Sequence, residues 1–154
     1  MDTSASQHPP PSDAYAHCVE MLLQNDLRMA QQARALVRGN HRSWGVAEEC
    51  ISVVELLTSE AVSNAVVHAP PPVHVILRHG DPGVRVEVVD SRPELHIPSS
   101  PHPDQTGGRG LWLIQMLATR WGHREHGQGK VVWFDVGSTV LRSASGHPLA
   151  HGQP

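Results

Sequence analysis

The chain has 154 residues, enough for one globular domain and too short for a second of ordinary size. Hydrophobic residues make up 39% of it, and the net charge of −3, with a pI near 6.4, comes without any basic cluster. That balance argues against duplex DNA or anionic membrane as the main partner. The apolar runs fall short of the roughly 20 residues that span a bilayer. Met1–Ser12 lacks the basic segment and apolar run of a signal peptide. Cys18 and Cys50 have no CxxC spacing and sit among apolar residues, so reduced core thiols in a cytoplasmic chain are expected. The 12 histidines are dispersed. His123 and His126 lie between Gly122 and Gly127 with no acidic or thiol partner at ligand spacing, so solvated surface histidines are the expectation.

Residues 1–14 read as a disordered leader, polar and interrupted by Pro9, Pro10 and Pro11. Cys18–Leu23 fits a first edge strand. Leu27, Ala30, Ala33, Leu36 and Val37 recur at helical spacing, with Gly39-Asn40 as a stop and Ser43–Val46 as a connection around Trp44. The strongest helix runs from about Ala47 to His68 on a stripe of Cys50, Val54, Leu57, Ala61 and Ala65, and Pro70-Pro71-Pro72 ends it. Val73, Val75 and Leu77 form the buried face of a strand, Gly80–Gly83 a turn, and Val84, Val86 and Val88 the buried face of a second strand, with Arg85 and Glu87 on its wetter side. Residues 91–106 carry four prolines and no periodicity, as functional loops do. Gly107-Gly108-Arg109-Gly110 then opens a helix through about Arg120, with Leu111, Ile114, Leu117 and Trp121 on one side. Val131–Val136 is a last strand, and 138–154 a flexible tail. Hairpin-joined strands with helices on one face indicate an α+β two-layer sandwich with a mixed, mainly antiparallel sheet over residues 15–137.

Three features carry chemistry. Glu60, Asn64 and His68 fall at i, i+4 and i+8 on one helix face, beside the apolar stripe. A polar group at a core margin costs a few kcal/mol unless partnered; the plain alternative is a solvated edge with His68 at the helix end. Asp90 has the phase of Val84, Val86 and Val88, which buries its carboxylate at the strand's end. With no lysine or arginine adjacent in phase, a ligand amine such as that of adenine would satisfy it. The alternative is a carboxylate capping the turn at Ser91 or Arg92. Finally, Thr106–Gly110 enters a helix through glycines, where backbone amides can approach an anion. It is neither a Walker loop nor a dinucleotide fingerprint.

In combination and order, Glu60-Ala-Val-Ser-Asn64-Ala-Val-Val-His68, Asp90-Ser-Arg-Pro93 and Gly108-Arg-Gly110-Leu-Trp-Leu-Ile114 resemble the asparagine box and two glycine boxes of the gyrase, heat-shock chaperone and histidine-kinase ATPase superfamily. The resemblance covers about residues 19–136, including Trp121-Gly122 and the Lys130–Phe134 strand. It is nearest to short actinobacterial-type anti-sigma-factor serine/threonine kinases.

That resemblance implies a Bergerat-type fold and ATP and Mg²⁺ as ligands. It implies Asn64 on Mg²⁺, Glu60 as general base and Asp90 accepting from the adenine amine. Gly108 and Gly110 would bond the phosphates, with Thr106, Arg109, Leu111 and His68 nearby. It further implies a serine/threonine kinase that phosphorylates an anti-sigma-factor antagonist and binds a sigma factor, with homodimerisation. The first glycine box is reduced to Ser91-Arg92-Pro93. Val131 stands where relatives often carry a threonine near the adenine. These departures leave a binding module without turnover as the alternative. A histidine-kinase catalytic fragment is disfavoured for want of a phospho-accepting hairpin.

Overall fold

A computed structural model describes residues 14–24, 27–81, 83–95 and 109–137. The expected leader and tail, and Thr106 and Gly108, lie outside these residues.

Strand β1 (Tyr15–Leu23) is the edge of a five-stranded sheet and pairs with β2 (Val73–Gly80), which continues through a tight turn into β3 (Gly83–Asp90). β5 (Gly129–Val136) lies beside β3 and carries β4 (Arg120–His126) on its far side, giving the order β1-β2-β3-β5-β4 with every pairing antiparallel. Helices α1 (Met29–Trp44), α2 (Glu48–His68) and α3 (Arg109–Leu117) supply the second layer. The expected α+β sandwich is therefore the fold.

α2 matches its predicted span, and its stripe of Cys50, Val54, Leu57, Ala61 and Ala65 is wholly buried. It packs with Met29, Ala33 and Val37 of α1 and Leu111 and Ile114 of α3. Together they cover Val73, Val75, Leu77, Val84, Val86, Val88, Val132, Phe134 and Val136 of the sheet. By length and composition α2 could cross a membrane, since an 18-residue stretch of it has a mean hydropathy of 1.4 although no unbroken apolar run reaches that length. Half of that stretch is buried here as the central core helix. Scattered polar residues such as Glu60 and Asn64 hide its mean apolarity from a search for unbroken runs.

Three expectations are corrected. α1 does not stop at Gly39-Asn40. Asn40 Nδ2 donates to the Leu36 carbonyl, and the helix ends five residues later at Gly45, whose φ of 65° supplies the left-handed stop. The predicted helix through Arg120 ends at Leu117, and the following residues are strand β4. Its short segment satisfies its backbone by pairing with β5, a long-range gain that helical spacing cannot register. Third, the opposite face of β3 is not wet: Arg85 and Glu87 are buried, and so are Trp133 and Asp135 opposite them.

Arg85 makes a two-pronged pair with Asp135, at 2.7 and 2.8 Å, and lies 4.4 Å over the Trp133 ring. Tyr15 and Arg120 also reach Asp135, at 3.3 and 3.0 Å. Burial, reinforced by the Asp135 charge, pushes the Tyr15 phenol above its ordinary pKa. Cys50 is buried and its thiol is pushed up to about 11 by burial, whereas Cys18 is exposed rather than in a core setting.

Candidate nucleotide site

The C-terminal half of α2 passes over the ends of β3 and β5, where the chain leaves the sheet at Ser91. Between them lies a cleft of about 180 Å³ lined by Asn64, His68, Arg92, Glu94, Leu95 and Lys130. Asn64 is half-buried and His68 exposed, as expected for one face of α2 at the margin of the core. The first residues of the long proline-rich loop thus form one wall.

Asp90 is buried on the helix-facing side of the sheet, as its phase predicted. It is not without a partner. Lys130, its cross-strand neighbour on β5, places Nζ 3.0 Å from Oδ1 and 2.9 Å from Oδ2. The same ammonium donates to the Arg92 carbonyl at 3.0 Å, while the Arg92 backbone N–H donates to Asp90 Oδ1 at 2.8 Å. The expectation that no cation shares Asp90's phase is corrected, and the turn-capping alternative is also present. A visible signal was missed. Lys130 has the period-two phase of Val132 and Phe134, which face the helices. Val131, expected near the adenine, pairs with Val89 and so faces away from Asp90.

Glu60 does not line the cleft. It sits one turn earlier on α2, half-buried, where α3 begins. A Cβ on Gly110 would lie 3.1 Å from the Glu60 carbonyl oxygen. Gly110 is therefore glycine because two helices meet there, a reason distinct from the backbone freedom expected of a phosphate turn. Arg109 is the first residue of α3, and Leu111 turns its side chain into the core, 1% exposed. Any ligand contact by Leu111 falls to its backbone.

The chemistry of the residues present fits a nucleotide. A buried carboxylate stands at the end of β3, an amide and an imidazole lie along α2, and the start of α3 offers helix N-terminal amides. A two-layer α+β fold carrying this order of groups defines a nucleotide-binding ATPase domain. Residues 23–136 match the family described as the histidine kinase-like ATPase domain, and the chain belongs to that family. Its fold is similar to the crystal structure of the RsbU and RsbW domains of Rv1364c from Mycobacterium tuberculosis, with a TM-score of 0.62 and 19% identity. That match covers 79% of this chain and 32% of the other, so the chain spans about a third of that protein's solved length. No curated protein matches the chain in sequence.

Proposed function

We propose that this protein binds Mg-ATP in the α2–β3–β5 cleft and acts as a serine/threonine kinase on a small protein antagonist. The observation that carries this reading is that Asn64 and Lys130, the ion-pair partner of buried Asp90, line one cleft in a chain of this family. Asp90 would accept from the adenine amine, favouring ATP over GTP. Asn64 would present a neutral oxygen to Mg²⁺, which suits a hard, largely hydrated cation. The first turn of α3, from Arg109 and Gly110, would donate backbone N–H groups to phosphate. Thr106 and Gly108 extend that turn in the sequence. Mg-ATP, when bound, supplies the transferable phosphoryl group and neutralises its charge. Glu60, one turn from Asn64, would orient and deprotonate the attacking hydroxyl. By family resemblance the partners are a sigma factor and an anti-sigma-factor antagonist, in the cytoplasm, with the chain as a homodimer.

A second reading, nucleotide or partner binding without turnover, is favoured by one observation: Glu60 stands outside the residues that line the cleft. Calorimetry with ATP and GTP, each with and without Mg²⁺, tests the nucleotide assignment. ATP is expected to bind, GTP more weakly, and Mg²⁺ to strengthen ATP. Equal affinity for both nucleotides would sink the Asp90 role, and absence of binding would sink the site.

A further inference from the structure

The sheet holds two buried cation–carboxylate pairs on opposite faces, and they differ in kind. Arg85–Asp135 is two-pronged, flanked by Tyr15, Trp133 and Arg120, and remote from the cleft. Lys130–Asp90 borders it, with Lys130 on the cleft wall and Asp90 buried against that lysine. Of the 12 basic residues, 11 are arginine, and Lys130 is the single lysine in the chain. A compact ammonium on a flexible stem makes a point-charge contact that can be exchanged, whereas a planar guanidinium fork fixes its carboxylate in place.

The geometry leaves little room for both a base and this ammonium. The side chains of Asp90 and Lys130 are 2% and 3% exposed. Asp90 Oδ1 already takes two donors, the Arg92 amide and Lys130, and Oδ2 takes Lys130. Lys130 lies on the cleft wall. A donor arriving through the cleft therefore meets Lys130 Nζ where it would meet Asp90. We infer that Lys130 is a competitive internal occupant of the base end of the site: an adenine amine reaches Asp90 only by displacing the lysine ammonium. Glu94, on the same cleft wall, offers the displaced ammonium a solvated carboxylate. The inference rests on the adenine assignment of Asp90 proposed above. It adds that Lys130 sets the affinity, because a binding-competent state held at a minor population weakens the apparent affinity by that fraction.

The test is calorimetry of ATP binding to the full chain as wild type, Lys130→Met, Lys130→Arg and Asp90→Asn. Removing the ammonium should tighten ATP by about tenfold or more, the factor expected if the open state is a tenth of the population or less. Lys130→Arg should weaken ATP, because the fork grips Asp90 harder. Equal or weaker binding by Lys130→Met would overturn the inference. If Asp90→Asn weakens ATP while Lys130→Met fails to tighten it, only the lysine inference falls. If Asp90→Asn changes nothing, the adenine assignment falls with it. Absence of ATP binding in both wild type and Lys130→Met overturns both.

Lys130→Met strands a buried carboxylate and risks the fold, so a second measurement uses the wild-type chain. Apart from the chain's α-amine, an amine-acylating reagent has one target in it. Acylation of Lys130, read by mass spectrometry of its peptide, should be slow alone and about tenfold faster under saturating ATP, by the same population argument. Equal rates with and without ATP, at a concentration that calorimetry shows to be saturating, would overturn the inference.

Discussion

Gly110 of α3 and Glu60 of α2 meet so closely that a methyl group on Gly110 would lie 3.1 Å from the Glu60 carbonyl oxygen and 3.3 Å from its Cβ. The residue proposed as general base is thereby held at the seam of two helices, directly beside the turn proposed to bond phosphate. Gly110→Ala forces the helices apart by a few tenths of an ångström. It is expected to cost about 1–3 kcal/mol, as overpacking does. Thermal melts check the stability, and phosphotransfer should fall further than the melting temperature explains because Glu60 moves with the seam.

Glu60→Ala separates the two functional readings. Standing off the cleft wall, Glu60 is expected to be dispensable for ATP affinity and required for phosphotransfer to an antagonist protein. Calorimetry and transfer of labelled phosphate read the two quantities independently. Retained transfer would favour a different base, and joint loss of both would make Glu60 structural.

Asp135 is the hub of the buried cluster on the opposite face, and its loss should be costlier than the loss of its partner. Asp135→Asn leaves Arg85, 1% exposed, without the carboxylate it grips with both prongs. Breaking a buried pair in this way costs about 3–5 kcal/mol. Arg85→Met should cost less, because Arg120 and Tyr15 remain on Asp135. Urea unfolding of the two variants checks that order.

Thr58 is fully buried on α2, and its hydroxyl has no hydrogen-bond partner among the described residues. Thr58→Val keeps the shape and removes the orphaned group. The variant should be more stable by about 1 kcal/mol. For a domain of this size that is a rise of about 2–4 °C in Tm, measurable by calorimetric scanning.

His79 closes a stack of three rings. Its centroid is 5.3 Å from Trp44 and 5.9 Å from His17, and its Nδ1 is buried without a hydrogen-bond partner among the described residues. Burial, with the neighbouring His17 adding to it and Asp81 opposing, holds its pKa below 6.5. In the unfolded chain the proton binds more tightly, so His79 contributes stability that is complete above pH 6.5. That contribution is lost as pH falls through the lower folded value. His79→Phe should flatten the stability profile below pH 6.5, as read by urea unfolding across that range.

The pattern of the chain alone determined the layered fold and the line of polar residues on α2. Periods of 3.6 and 2 reflect burial of one face, and α2, β2 and the helix-facing side of β3 bury the residues that their periods mark. Burial of Asp90 followed from the same arithmetic. Tertiary structure decided what periodicity cannot contain, because cross-strand partners and helix seams join residues distant in sequence. Pairing with β5 turned the segment after Leu117 into β4, and the Asp135 cluster made a buried face from residues that alternate as if wet. Gly110 owes its identity to Glu60, 50 positions away. Asp90, legible as a buried acid, gained in the folded sheet a partner 40 residues on. That partner, Lys130, is the residue through which a nucleotide base would have to reach it.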